Sequence, residues 1–301
     1  MSEADAILEG FKKGGLRSLS RLISWAENRE PQTEGVLAKL FSKVGHAKII
    51  GITGPPGAGK STLVNHFIRF CRGQNEKVAV IAVDPVSPFT GGALLGDRIR
   101  LTTHFNDPGV FIRSLSTRGK LGGLSLATRE VLHAVDAFGF DTIILETVGV
   151  GQSEVEIRKM ADATLVVLVP EWGDGVQAIK AGILEIGDVF AVHKSDREGA
   201  ERVASELRQA LPGGELAPKV FLSTEKDEAS LKAVWEGVTG FCRLRKDVVA
   251  HRRLQGRQET LTELVEARAV EKARAWVAKQ SLAHSNPYEG FLAFEKSDTM
   301  P

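Results

Sequence analysis

The sequence is poor in cysteine, in net charge and in long apolar runs. Its only cysteines among 301 residues, Cys71 and Cys242, are far apart and lack the spacing of a metal site. So few cysteines favour a reducing cytoplasm. The 39 basic and 38 acidic residues nearly cancel, which argues against bulk electrostatic binding to nucleic acid or to an anionic membrane. No segment approaches membrane-spanning length, and the acidic start MSEADA is not typical of a targeting peptide.

A glycine-rich stretch is the clearest motif in the chain. Residues 51–62 read GITGPPGAGKST, and GPPGAGKS within them fits G-x-x-x-x-G-K-[ST]. An apolar run precedes the motif and a helical pattern follows it, the order in which backbone N–H groups at a helix N-terminus cradle phosphate. There Lys60 would reach the outer phosphates and Ser61 would ligate Mg²⁺. The predicted nucleotide-binding residues of this loop are Gly54, Pro55, Pro56, Gly57, Ala58, Gly59, Lys60, Ser61 and Thr62.

Apolar periodicity divides the chain into three regions. Residues 1–45 carry apolar residues at helical spacing and predict an N-terminal helical extension. Residues 46–245 alternate short apolar runs with helical segments, which predicts a doubly wound, mostly parallel α/β sheet. Residues 246–301 lose the strands and predict a charged, helical C-terminal arm. The predicted strands are 48–53, 77–84, 110–115, 141–147, 164–169, 189–193 and 219–223.

Carboxylates end two of the predicted strands. Asp84 ends the second strand and Glu146 the fourth, so both lie at the sheet edge where phosphates bind. Such acids hold Mg²⁺, directly or through water, and position the attacking water. We therefore predict Lys60, Asp84, Glu146 and Gly149 as catalytic residues, and Ser61, Asp84 and Glu146 as Mg²⁺ ligands.

The residues after the sixth predicted strand indicate the base. GTPases commonly carry Asn-Lys-x-Asp there, and its carboxylate accepts two hydrogen bonds from guanine that adenine cannot donate. Lys194 and Asp196 match this pattern, whereas His193 replaces the asparagine. Ser223 ends the seventh predicted strand and Thr224 follows it, where a loop would contact guanine O6. The pattern favours GTP over ATP; the alternative is that Lys-Ser-Asp only starts and caps a helix from residue 197 onward.

Three long segments carry a family resemblance. They read AVDPVSPFTGGALLGDRIRL (82–101), STRGKLGGLSLATRE (116–130) and ETVGVGQSE (146–154). The similarity extends to GVQAIKAGILEIGD (175–188) and to NPYEG (286–290). Together they resemble the MeaB/ArgK-like GTPases, bacterial relatives of the human methylmalonic aciduria type A protein within the SIMIBI class of P-loop GTPases.

The resemblance implies a GTP-hydrolysing chaperone of an adenosylcobalamin-dependent acyl-CoA mutase of the methylmalonyl-CoA mutase type, with GTP/GDP and Mg²⁺ as its ligands. Such a protein gates cofactor loading and protects the mutase. The resemblance places Asp84 and Asp97 in the first switch, and Gln152 and Glu154 in the second phosphate-sensing segment. Family members usually form homodimers through helical extensions, which would explain an apolar stripe at Leu261, Leu264, Val265, Ala269, Ala273, Trp276 and Val277.

The residue after Gly149 predicts slow hydrolysis. In Ras-like enzymes a glutamine shortly after Asp-x-x-Gly orients the attacking water. Val150 follows Gly149 here, and an aliphatic side chain cannot orient water; Gln152 lies two residues further on. We therefore expect slow basal turnover until a partner rearranges the switches or supplies a group.

Other classes share parts of this pattern. A kinase uses the same loop with ATP and would show no guanine preference, and a transport-linked nucleotidase of the arginine/ornithine type is a further alternative. A nickel-inserting GTPase would need a metal site rich in histidine or cysteine, which seven scattered histidines and two distant cysteines do not form. A non-catalytic scaffold would not need Lys60, Ser61, Asp84 and Glu146 together.

Overall fold

The chain forms two compact units, Met1–Arg253 and Leu254–Pro301, which are described separately. The computed structural model describes residues 2–84, 101–116, 126–147, 153–170, 182–214, 217–279, 286–289 and 294.

Helices and strands alternate after three N-terminal helices. The helices are α1 (Glu3–Lys12), α2 (Leu16–Asn28), α3 (Thr33–Leu40), α4 (Lys60–Gly73), α5 (Leu126–Phe138), α6 (Ser153–Met160), α7 (Ile183–Ile186), α8 (Ala200–Ala210), α9 (Glu228–Leu244) and α10 (Lys246–Ala278). The strands are β1 (Lys48–Thr53), β2 (Val78–Asp84), β3 (Val110–Ser116), β4 (Thr142–Thr147), β5 (Ala163–Leu168), β6 (Val189–His193) and β7 (Lys219–Ser223). Short 3₁₀ turns occur at Phe41–Lys43 and Thr102–His104.

The strands form one parallel sheet in the order β3-β2-β4-β1-β5-β6-β7. This confirms the predicted doubly wound α/β fold, and each predicted strand is present to within one residue at either end. The chain runs from β1 towards β2 and β3 on one side and later returns to β5 on the other. The loop after β1 therefore lies where the strand order reverses, the usual ligand position in such sheets.

The sheet is covered on both faces, which explains why its central strands are continuous apolar runs. Every residue of β4 and β5 is buried. Because side chains alternate along a strand, Ile143 and Leu145 enter the core on one face while Ile144 enters the core on the other. The carboxyl ends of these strands are thereby held rigidly at one edge.

The N-terminal helices complete the core on one face of the sheet. Leu22 and Trp25 of α2 are buried in the same apolar cluster as Ile81 of β2. Phe11 of α1 meets Phe138 of α5 edge-on, with ring centroids 5.2 Å apart. The predicted N-terminal helices are confirmed, and their burial shows that they contribute to the core of the first unit.

Buried carboxylates fix the amino ends of the strands. Asp136 accepts hydrogen bonds from the backbone N–H groups of residues 45, 46 and 47 just before β1, at 2.6, 3.2 and 2.9 Å. Asp162 accepts the N–H of Ile49 at 2.9 Å and a bidentate pair from Arg253 at 2.6 and 2.7 Å. These contacts hold the start of β1, and so the position of the loop at its other end.

The second unit contains most of α10, so the predicted C-terminal helix is confirmed. Leu261, Val265 and Val277 of the predicted stripe are about half exposed or more, and Trp276 packs edge-on against Phe294 at 5.4 Å. Among the residues that the structure describes, no helix is long and apolar enough to cross a membrane.

Candidate nucleotide-binding site

The phosphate loop has a backbone that requires glycine at two positions. Gly54 has φ 143° and lies against Val167 of β5, where a Cβ would overlap the backbone carbonyl. Gly59 has φ 91°, and a Cβ there would lie 2.9 Å from His193 Nε2 and still closer to Cδ2. Side chains are disfavoured by both the backbone conformation and the available space. The motif glycines therefore allow the loop to pass tightly between β5, β6 and the start of α4.

Lys60 is held inside this loop. Its side chain is 7% exposed, and Nζ donates to the carbonyl oxygens of Gly54 at 2.7 Å and Pro55 at 3.1 Å. The ammonium group thus lies in the concavity that the loop encloses. Its charge, together with the N-terminus of α4, makes this end of the sheet attractive to phosphate.

Ser61 and Glu146 are 85 positions apart in the sequence but are in contact in the fold. Ser61 Oγ donates to Glu146 Oε1 at 3.1 Å, and Glu146 is 7% exposed. The parallel register explains the meeting, because Glu146 pairs with Ile52 of β1 and Ala82 of β2 near the carboxyl ends of those strands. A hydroxyl and a carboxylate oxygen are hard donors, so the pair fits Mg²⁺ coordinated additionally by phosphate oxygens and water.

The remaining predicted phosphate-side residues are only partly within the described structure. The backbone of Asp84 ends β2, two residues beyond the partner of Glu146, which places both residues at the same sheet edge. Glu154 lies in the first turn of α6. Asp97, Gly149 and Gln152 lie outside the described residues. Within the described ranges, no three side chains of His, Cys, Asp or Glu are grouped as a metal site.

The base-side residues form a connected set with the phosphate loop. Lys194 Nζ donates to the carbonyl oxygen of Gly57 at 2.7 Å. The backbone of Lys194 is left-handed, with φ 57°. Asp196 Oδ1 accepts the hydroxyl of Thr224 at 2.9 Å. The alternative that Lys-Ser-Asp starts and caps a helix from residue 197 onward is wrong, because α8 begins at Ala200 and Gly199 is its N-cap.

His193 connects the phosphate loop to the loop after β7. Its side chain is 2% exposed and lies against Gly59, and Nδ1 is 3.0 Å from Ser223 Oγ. Residues 193 and 223 are also partners in the β6–β7 register, which accounts for that hydrogen bond. Desolvation lowers the pKa of His193 from 6.5 to about 4, so the imidazole is neutral at pH 7.

Sequence reasoning missed one member of the site, Lys226. Its Nζ lies 2.6 Å from Asp196 Oδ2. Hydrogen bonds from Lys226 and then from Thr224 lower the pKa of Asp196 to about 2. The available signal was a basic residue two positions after Thr224, but only the loop conformation directs that charge onto Asp196.

The neutral, buried state of His193 makes stability depend on pH. The unfolded histidine binds its proton near pH 6.5 and the folded one near pH 4, so its contribution is present above pH 6.5 and declines as pH falls towards 4. We expect wild type to lose about 2–3 kcal/mol more unfolding free energy than His193→Asn between pH 7 and 4.5. Urea unfolding of both proteins at the two pH values measures this; equal losses would contradict it.

Comparison with known proteins agrees with this geometry. A protein of Pyrococcus horikoshii is 54% identical over 211 residues, covering 70% of this chain and 67% of that protein. The GTPase ArgK of Escherichia coli is 33% identical over 245 residues, covering 77% of this chain and 73% of ArgK. A crystal structure of a LAO/AO transport system kinase covers 98% of both chains with a TM-score of 0.69 at 23% identity, which shows a shared fold.

The family comparison covers most of the chain. The family described as methylmalonyl Co-A mutase-associated GTPase MeaB matches residues 19–284, a range that includes the phosphate loop, Glu146 and the base-side residues. This confirms the family resemblance and the assignment of GTPase activity. The chain belongs to the MeaB family of methylmalonyl Co-A mutase-associated GTPases.

Proposed function

We propose that this GTPase is the chaperone of an adenosylcobalamin-dependent acyl-CoA mutase of the methylmalonyl-CoA mutase type, gating cofactor loading and protecting the mutase. The observation that carries the proposal is the family match over residues 19–284, whose description names a mutase. The site supports a nucleotide-driven role, because its phosphate and base sides are joined through His193 and Lys194. We place this activity in the cytoplasm, where the free Cys71 and Cys242 would stay reduced.

In this proposal the phosphate side neutralises charge that develops during hydrolysis. Lys60 exchanges its contacts with the loop carbonyls for contacts with the outer phosphate oxygens, and the loop N–H groups hold the remaining oxygens. Ser61 and Glu146, with Asp84 beside them, would hold Mg²⁺. The bound ion would draw negative charge from the phosphates, while the side chains fix its position.

The base side supplies selectivity for guanine. Asp196 would accept hydrogen bonds from guanine N1 and the exocyclic amine, with its carboxylate oriented by Thr224. Lys194 would pack its aliphatic stem on the purine while its Nζ stays on the phosphate loop. Ser223 would hold His193 and so keep the two loops in register.

Transmission of energy to the mutase requires segments whose conformation differs between the GTP-bound and the GDP-bound protein. We propose that the switches comprise residues 84–97 and 146–154, with Asp97, Gly149, Gln152 and Glu154 among their working residues. Both segments begin at strand ends that already carry an acidic residue of the site. Val150 supplies no side-chain amide to orient the attacking water, so turnover stays slow until a partner rearranges the switches or supplies a group.

We also propose a homodimer, with residues 1–45, 46–245 and 246–301 as helical extension, GTPase domain and dimerising arm. The supporting observation is the row of exposed apolar residues on α10, which includes Leu261, Val265 and Val277. Apolar side chains exposed on one helix are stabilised when a second surface covers them.

Adding the mutase to this protein is expected to accelerate GTP turnover at least about tenfold, because a partner that rearranges the switches or supplies a group would orient the attacking water. Turnover would be measured with and without the adenosylcobalamin-dependent mutase of the same organism. Mutase affinity would be measured with GTP, with GDP and without nucleotide, since a coupled cycle requires these affinities to differ. Sedimentation of the same samples would report whether the GTPase is a dimer.

The matched control is an unrelated acyl-CoA enzyme at the same concentration, which should leave turnover unchanged. Equal mutase affinity in the three nucleotide states, combined with unchanged turnover, would remove the basis of the chaperone proposal. GTP hydrolysis by the isolated protein would remain, and a different client would then have to be sought.

A further inference from the structure

Both carboxylate oxygens of Asp196 are engaged within the protein. Thr224 donates to Oδ1 at 2.9 Å and Lys226 donates to Oδ2 at 2.6 Å. The two donors differ in freedom, since the Lys226 side chain is 71% exposed on a long flexible stem. Thr224 also accepts from the backbone N–H of residue 226, so the hydroxyl belongs to the loop framework. Lys226 is therefore the donor that can leave.

Guanine would bind the same carboxylate of Asp196 that Lys226 already contacts. The base presents two N–H donors to one carboxylate, and an ammonium group on Oδ2 is a third donor with a full positive charge directed at the same atoms. Positive charge beside the N–H groups of the base also repels their hydrogens. Guanine consequently docks best after Lys226 has moved away.

We propose that Lys226 occupies the guanine-recognition carboxylate of the nucleotide-free protein and competes with the base for it, so that it lowers nucleotide affinity. The inference rests on the proposed role of Asp196 in guanine binding. Lys226 is not needed to keep Asp196 ionised, because a carboxylate with an ordinary pKa is already ionised at pH 7. The effect of Lys226 that remains is competition with guanine for Asp196 in the nucleotide-free protein.

The geometry also limits the size and the kinetics of the effect. An ion pair with partners 71% and 32% exposed is weak and screened by salt. Only the fraction of free protein with Asp196 released can bind the base, so the penalty falls on the association rate rather than the dissociation rate. Removing Lys226 should then tighten binding about two- to fivefold.

The test uses Lys226→Met in the full chain, which keeps the length of the stem and removes the charge. We expect Kd for GDP to fall about two- to fivefold, with a faster association rate in stopped flow and an unchanged dissociation rate. The difference from wild type should shrink between 0.05 and about 1 M salt.

The control variant is Lys232→Met, which removes a lysine of similar exposure, 64%, whose partner is Glu236. It should bind GDP as wild type does at every salt concentration. Weaker or unchanged GDP binding by Lys226→Met, or a gain that comes only from slower dissociation, would overturn the inference. Asp196→Asn separates the two hypotheses: if it leaves GDP affinity unchanged, the base assignment itself fails, whereas weakened binding combined with an unresponsive Lys226→Met rejects only the competition.

Discussion

Replacing Lys60 by alanine is expected to lower GTP turnover by about 10²–10³-fold or more. The ammonium group lies inside the phosphate loop, 2.7 and 3.1 Å from two of its carbonyl oxygens, so it needs little rearrangement to contact a phosphate. Its removal takes a positive charge from a site where negative charge accumulates in the transition state. Single-turnover GTP hydrolysis measures the loss without interference from product release.

A change in loop structure must be separated from a change in chemistry in that experiment. Lys60→Gln retains a donor for the two carbonyl oxygens but lacks the charge, and it should be as inactive as Lys60→Ala. Thermal unfolding of both variants should stay close to wild type, and Lys232→Ala, an exposed lysine, should leave turnover unchanged. A folded Lys60→Ala protein with turnover within twofold of wild type would reject the role of Lys60.

Replacing Gly59 by alanine should cost about 2–5 kcal/mol of unfolding free energy and reduce GDP affinity sharply. A left-handed conformation costs a non-glycine residue about 1–2 kcal/mol, and forcing a methyl group into a packed site adds about 1–3 kcal/mol. The new Cβ would overlap the ring of His193, which is buried and held by Ser223. Either the ring or the loop must move, and both movements disturb the phosphate site.

Gly57→Ala is the matched control. Gly57 also has a positive φ, of 77°, but a Cβ there would meet nothing within 4 Å, so only the conformational cost applies. Urea unfolding should therefore give a smaller loss for Gly57→Ala than for Gly59→Ala. In the double variant Gly59→Ala/His193→Ala the overlap is absent. A coupling energy near zero in the double-mutant cycle formed by this protein and the two single variants would show that His193 does not constrain the loop.

Much of this site could be predicted because its signals are local. The phosphate loop is one continuous motif between an apolar run and a helix, and its position after β1 follows from that order. Asp84 and Glu146 could be assigned to one edge because parallel strands bring their carboxyl ends together. The direct contact of Ser61 with Glu146 depends on the register of β1 against β4, which apolar periodicity does not specify.

The sequence by itself determined the class of the fold, the loop that binds phosphate and the family, since each depends on residue types at fixed spacing along the chain. Tertiary structure decided how His193 replaces an asparagine, because its contacts are Gly59 and Ser223, 134 and 30 residues away. It also decided that Lys226 lies on Asp196. The physical reason is that hydrogen bonds and charge pairs act over about 3 Å, and such distances between remote residues exist only after strand register and loop conformation are fixed.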